Sequence, residues 1–348
     1  MTDSRLTLAL DDGAALPAEG TILVLGAGAA ADLSALPLGR CRFVQPFAPD
    51  HAALAARGLA VTAMPEGEGH AAALVLIPRA RAAAEALVAE AMARCAPGAP
   101  VWVDGQKTDG IEAMQKALAR RGAAVGAVTS KAHGRTLALS AGPGFDDWRH
   151  GASEAAPGFV TRPGVFSADG IDPGSALLAA ALPELSGKVA DLGAGWGWLS
   201  AQVLAQPKVK RLDLVEADQV ALDCARENVT DPRARFHWAD ATGWRPEGAL
   251  DWVVMNPPFH AGTRSAEPGL GAAFIAAAAR MLAPSGSLVM VANRQLPYEA
   301  ELAAAFLEHR QIGGDGRFKL FLATKPLRQR GAAATAPARR APASRGRR

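Results

Sequence analysis

The 348-residue chain has only three cysteines, a single tyrosine and no long apolar run. Cys41, Cys95 and Cys224 lie far apart, and an odd, scattered set makes neither a disulfide framework nor a metal cluster. A reducing, cytoplasmic setting and no metal are therefore expected. No stretch approaches the ~18 uninterrupted apolar residues of a membrane helix, because Arg, Glu and Pro break the Ala-rich runs. No membrane partner is expected. The start, Met1-Thr2-Asp3-Ser4-Arg5, lacks the basic head and apolar run of a secretion signal. Acid is missing from the other end: from Lys325 to Arg348 there are eight basic residues and no carboxylate. Taking those eight from the net charge of +3 leaves −5 for the rest. The segment 328–348, rich in Ala, Pro, Gly and Arg, cannot bury a core and reads as a disordered basic tail, either a nucleic-acid arm or a solubility tail. The remainder, in a chain that is 49% hydrophobic, is long enough for two cores at roughly 100–200 residues per domain.

The chain repeats itself. Thr21-Ile22-Leu23-Val24-Leu25-Gly26-Ala27-Gly28 and Lys188-Val189-Ala190-Asp191-Leu192-Gly193-Ala194-Gly195-Trp196-Gly197 are apolar strands running into glycine turns. Each leads through a helical stretch to a second strand, Arg42 to Pro46 in one half and Leu212 to Glu216 in the other. Leu74 to Pro78 then matches Trp252 to Pro257. Each is followed by an Ala-rich helix and a Pro-Gly or Pro-Ser-Gly turn, Ala96-Pro97-Gly98 and Ala283-Pro284-Ser285-Gly286. Strands alternating with helices of this size imply βαβ units and a parallel sheet. We read two copies of one doubly wound α/β domain, residues 1–150 and 151–327, joined through the Gly/Pro/acid-rich stretch between Gly142 and Gly158. Val24 takes the slot of Asp191, Gln45 that of Glu216 and Ile77 that of Asn256. The first copy thus keeps the apolar skeleton without the polar groups and reads as a degenerate, non-catalytic scaffold.

In open α/β sheets ligands bind at the carboxyl ends of the strands, where strand order reverses. The glycine turn after Asp191 is weak evidence alone. Asp191, two residues before its first glycine, suits an ammonium group and sits badly beside a pyrophosphate, which disfavours a dinucleotide here. The Gly26-Ala27-Gly28 turn fits a dinucleotide fingerprint formally but lacks an acid ending its second strand. Glu216 can accept both hydroxyls of a ribose, or be one surface acid beside Asp218. Asp240, after the strand Ala234 to Trp238, can accept an adenine amino group or cap the next turn. Trp196 and Trp238 are placed to flank a ring. Asn256-Pro257-Pro258-Phe259 is the most specific signal: two prolines stiffen the exit from a strand. The Asn oxygen and a proline carbonyl offer two acceptors for a planar –NH₂ group, with Phe259 as a face for its ring to stack on.

On these residues the second half resembles the class I S-adenosylmethionine-dependent methyltransferases. More closely, the chain resembles the 16S ribosomal RNA guanine-N2 methyltransferases, which have tandem Rossmann-like domains with the N-terminal copy degenerate. Gly164-Val165-Phe166-Ser167, Ile171 to Leu178, Asp191 to Gly197, Asn256 to His260, Ala292-Asn293, Leu296-Pro297-Tyr298 and Gly316 to Lys319 carry the likeness. It implies seven-stranded, mostly parallel sheets and S-adenosyl-L-methionine as cofactor. Asp191, Gly193, Ala194 and Gly195 would hold its methionyl part, Glu216 and Ala217 its ribose, and Asp240 and Ala241 its adenine. Phe166 and Ser167 would help close the pocket. Asn256, Pro257, Pro258 and Phe259 would present the amine of a guanine flipped out of its stack. Ribosomal RNA, or the small ribosomal subunit, is the implied partner, met by arginines such as Arg264, Arg294 and Arg317, and a monomer is expected. His260 reads as a loop histidine and no general base is required. Adenine N6 and a protein glutamine remain alternative targets, as does a non-catalytic RNA-binding or assembly factor that keeps the fold.

Overall fold

Strands buried on both faces read as continuous apolar runs, because helices cover a parallel sheet above and below. The glycine-turn strands of this chain do so in a computed structural model, which describes residues 5–11, 15–258 and 268–327. The first half comprises α1 (Arg5–Asp11), β1 (Ile22–Leu25), β2 (Cys41–Val44), α2 (Ala48–Ala56), β3 (Val61–Thr62), β4 (Ala72–Leu76), α3 (Arg81–Arg94), β5 (Pro100–Gln106), α4 (Ile111–Arg120), β6 (Val128–Lys131) and β7 (Gly134–Ser140). A two-stranded hairpin, β8 (Ser153–Ala156) and β9 (Phe159–Thr161), follows. The second half comprises α5 (Pro173–Ala180), β10 (Gly187–Leu192), α6 (Trp198–Leu204), β11 (Val209–Glu216), α7 (Gln219–Asn228), β12 (Ala234–Trp238) and β13 (Leu250–Met255). It ends with α8 (Pro268–Met281), β14 (Leu282–Asn293), α9 (Glu299–Ala305), β15 (Phe306–Gly314) and β16 (Phe318–Pro326).

The two seven-stranded sheets have one topology. Their orders are β3-β2-β1-β4-β5-β7-β6 and β12-β11-β10-β13-β14-β16-β15, with one strand of each, β7 and β16, antiparallel to the rest. Strand order reverses beside β1 in one sheet and β10 in the other, the crevice where a ligand is expected. Alternation fills both faces: Ile22 and Val24 of β1 pack into one cluster, Leu23 and Leu25 into the other. Each such side chain contributes about 1.5–3 kcal/mol on burial. In β10, Ala190 and Leu192 face one core and Val189 the other.

Three details differ from the sequence reading. The hairpin β8–β9 begins inside the Gly/Pro/acid-rich stretch read as the boundary between the copies, and Asn228 ties it down by accepting from Val160 N and donating to Val160 O, both at 2.8 Å. The turn Ala283 to Gly286 is looped out inside β14, where the pairing with β13 jumps from Leu250↔Leu282 to Trp252↔Ser287. Third, hydrogen-bond register puts Leu76, not Ile77, in the slot of Asn256. Val24 pairs with Leu74 and Asp191 with Val254, so counting two residues on reaches Leu76 and Asn256. The lone Pro78 therefore matches Pro258, and aligning prolines alone slips the strand by one residue.

The copies meet through equivalent segments, the residues after their second strands. Ala48 N donates to Ala217 O at 2.8 Å and Gln219 N to Pro46 O at 2.9 Å, flanking an antiparallel bridge between Phe47 and Asp218. The pattern has pseudo-twofold symmetry, with each copy giving and receiving the same bond. Trp238 is committed to this junction and does not stand free to flank a ring. Its indole N–H donates to the carbonyls of Pro46 and Ala217, both at 2.9 Å, and His51 packs edge-on against its ring.

Candidate active site

β10 delivers Asp191 to the sheet's carboxyl end, and the chain then turns through three glycines of positive φ into α6. At Gly197 the requirement is strict: φ is +88° and a Cβ would stand 2.9 Å from Val229. Asp191 is fully buried. Its Oδ2 accepts from Ser200 Oγ at 2.6 Å, while Oδ1 has no partner. Burial pushes its pKa up to about 7; the neighbouring Glu216 carboxylate adds to the rise and the Ser200 bond opposes it. Glu216, last in β11, accepts from Gly195 N at 2.8 Å and from Asp218 N at 2.9 Å, and burial raises its pKa as well. Among the described residues the partners of both carboxyls are a hydroxyl and backbone N–H groups, not cations. Two carboxyls held near each other without a counter-ion suit a cationic or hydroxyl-rich guest.

Across the crevice, Asn256 follows the last residue of β13. Its Nδ2 donates to Asp172 Oδ2 at 2.7 Å and to Ser175 Oγ at 2.9 Å, and its Oδ1 is buried without a partner. Pro257 is buried and Pro258 exposed. Phe259, with His260 and Arg264, lies outside the described residues, as does the tail from 328.

One cleft gathers half of the expected residues. Phe166, Ser167, Asp191, Gly193, Ala194, Gly195 and Asn256 line it together with Asp172, Ser175, Trp196, Trp198 and Leu199. Phe166 is 64% exposed at its edge. The turn that carries it is pinned from below, since Trp196 Nε1 donates to Phe166 O at 3.1 Å. Ser167 has φ of +54°, costly for a residue with a Cβ, and its Oγ holds the turn by donating to Gly170 O at 2.7 Å. Trp196 is itself buried and edge-on to Phe159, and Asn228 Nδ2 donates to its carbonyl. The bulky residue in the glycine turn thus anchors neighbouring loops.

Glu216, Ala217, Asp240 and Ala241 do not line this cleft. Glu216 reaches it only through Gly195 N. The Ala217 carbonyl is used at the junction between copies, and Ala241 is in the core. Asp240 accepts from Thr242 N at 2.8 Å and from Thr242 Oγ1, so it caps the following turn, the plainer of its two readings. Arg294 spans the turn before β16, donating to Asp315 O at 2.7 Å and Phe318 O at 3.2 Å, and Arg317 lies over the Phe318 ring. In the sequence Asp172 and Ser175 stand out only as part of the Ile171 to Leu178 motif. The local signal was a helix start: Asp at the N-cap, Pro173 next, and Asp172 Oδ2 accepting from Ser175 N at 2.8 Å.

Comparison with known proteins is consistent along the chain. Residues 157–322 match the methyltransferase small domain family. A ribosomal RNA small subunit methyltransferase C of Pectobacterium atrosepticum is 30% identical over 253 residues, 71% of this chain and 72% of that one. The protein of the same name from Klebsiella pneumoniae is 33% identical over 233 residues, 64% of this chain and 67% of that one. Among solved structures, a T. thermophilus 16S rRNA N2 methyltransferase in complex with AdoMet and guanosine superposes with a TM-score of 0.74 at 23% identity, covering 88% of both chains. At that identity the likeness establishes the shared tandem fold.

Proposed function

The chain belongs to the ribosomal RNA small subunit methyltransferase C family, and from that premise we propose that it transfers a methyl group from S-adenosylmethionine to the exocyclic N2 amine of a guanine in 16S ribosomal RNA. The observation that carries the reading is a pair of buried acceptors without partners, Asp191 Oδ1 and Asn256 Oδ1, lining one cleft. An unpaired buried acceptor costs about 1–3 kcal/mol. Both losses are recovered if a guest brings an ammonium to Asp191 and an amine to Asn256, which is the donor set of this cofactor with this substrate.

The residues present fit the cofactor. Asp191 would take the ammonium of its methionyl part beside Gly193, Ala194 and Gly195, with Glu216 and Ala217 at the ribose and Asp240 with Ala241 near the adenine. Phe166 and Ser167 would cover it. When bound, S-adenosylmethionine supplies a methyl already activated by positive sulfur. The chain contributes position and desolvation. Asn256 Oδ1 and the Pro257 carbonyl accept the two hydrogens of the amine and aim its lone pair, with Pro258 stiffening the exit and Phe259 as stacking face. No side chain withdraws a proton beforehand, because the amine becomes acidic as it is alkylated. The reading also carries a degenerate first copy (1–150), a catalytic second copy (151–327), the cytoplasm as compartment and a monomer as working unit.

Small subunits and naked 16S rRNA from cells lacking the gene, incubated with the protein and methyl-labelled cofactor, should yield N2-methylguanosine on nucleoside mass spectrometry. Label in N6-methyladenosine, or in protein only, would refute the guanine assignment.

A further inference from the structure

We propose that Asp172 and Ser175 act as positioning residues that lock the Asn256 amide in one orientation and so make the site selective for a substrate amine. The inference rests on the function proposed above and adds what sets the amide's direction. An Asn side chain has a donor end and an acceptor end of nearly equal size, and packing alone does not choose between them. Here chemistry chooses. The Asp172 carboxylate can only accept, so the end 2.7 Å from its Oδ2 must be the NH₂ group. Ser175 Oγ takes the other hydrogen at 2.9 Å. Turning the amide over would set its oxygen against the carboxylate and leave NH₂ in the cleft. The lock therefore leaves Oδ1 as the group presented, buried and unpartnered.

Three features built into the sequence serve this arrangement. Pro173 starts α5 directly after Asp172, and the cap bond from Ser175 N at 2.8 Å fixes the carboxylate. Gly174 leaves room for it: a Cβ there would stand 3.0 Å from Asp172 Oδ2 and 3.2 Å from the Phe318 ring. The contact joins residues 84 positions apart, bringing the segment that precedes the sheet onto the end of β13. In the first copy the register position of Asn256 is Leu76, which has no amide to orient.

The test pairs turnover with discrimination, using the full chain with its cofactor. Guanosine and inosine differ in the exocyclic amine, and each is titrated as a competitor of methyl transfer to 16S rRNA. Wild type should prefer guanosine by about tenfold or more, since inosine leaves Oδ1 unpaired. Asp172→Ala should lower kcat about 10- to 100-fold and bring the preference toward unity, with the KM for S-adenosylmethionine within about threefold. Because Asp172 also caps α5, Ser175→Ala is the control that keeps the backbone cap, with the same loss of preference on a smaller scale. Asp172→Asn, whose amide oxygen can accept in the same place, should restore most of both. If Asn256→Ala abolishes the preference while Asp172→Ala and Ser175→Ala leave kcat and preference at wild-type values, the lock is wrong and the function stands. If Asn256→Ala itself leaves transfer and preference intact, the amine-presenting reading fails first.

Discussion

The two halves of this chain share one strand order and one pattern of buried aliphatic residues, and differ in what fills the carboxyl end of the sheet. In the first copy the polar side chains beside the glycine turn are answered from within. Gln45 Nε2 donates to Ala27 O at 2.8 Å and its oxygen accepts from Phe47 N at 2.9 Å, while the Asp50 carboxylate takes Ala29 N at 2.9 Å. In the second copy Asp191 and Asn256 each keep a buried oxygen with no partner. The fold evidently needs neither oxygen, because the first copy builds the same sheet around Val24 and Leu76. An uncompensated buried acceptor weakens a fold, so its retention in one copy marks the place where a guest completes the bonding.

The comparison breaks most sharply if one copy's residue is given to the other. Asn256→Leu, which installs the register equivalent from the first copy, should reduce methyl transfer by at least 100- to 1000-fold in a single-turnover assay. Cofactor affinity should stay within a few-fold by calorimetry. Next in size is Asp191→Asn, expected to weaken S-adenosylmethionine binding about 10- to 100-fold through loss of a charge-assisted bond. Its pH dependence has a definite sign. With a folded pKa near 7 against an ordinary 3.8, the folded chain holds a proton that the unfolded chain has released in between. Stability from this residue is thus present at about pH 4 and lost as pH rises toward 7, by about 4 kcal/mol across the window. The melting temperature of wild type relative to Asp191→Asn should fall over that interval, while wild-type cofactor affinity should rise as pH passes 7 and the carboxyl ionises. A flat difference between the two proteins would refute this account.

The repeat, the glycine turns and the strand ends were legible in sequence because each is a local pattern of apolar runs and turn residues. So was the acid–amide set of Asp191, Glu216 and Asn256, since strand ends position side chains at one edge. What escaped was set by partners distant in sequence. Asp172 and Ser175 reach Asn256 only after the chain has laid down β10 through β13. Trp238 meets Pro46 across 192 residues, and no local pattern distinguishes a ring kept for a ligand from one that seals a junction. The slip between Leu76 and Ile77 has the same origin: register belongs to hydrogen bonds between strands, and a single shared proline does not fix it.

The gentlest way to sharpen the comparison is Gln45→Glu, which gives the first copy the acid of the second. Sequence alone suggests a step toward a second cofactor site. The geometry implies the reverse. At this position the second copy presents an N–H, from Gly195, to its acid, whereas the first presents the Ala27 carbonyl to Gln45. A carboxylate at 45 keeps the bond from Phe47 N but sets one oxygen against another in a side chain that is 6% exposed. The variant should lose about 1–3 kcal/mol at pH 8. That loss should shrink on acidification, since the new carboxyl, held above the usual range by burial, can donate to Ala27 O once protonated. Calorimetry should still count one equivalent of S-adenosylmethionine per chain. A second equivalent would mean that the first copy stands one residue from binding, and that its internally satisfied turn is no barrier.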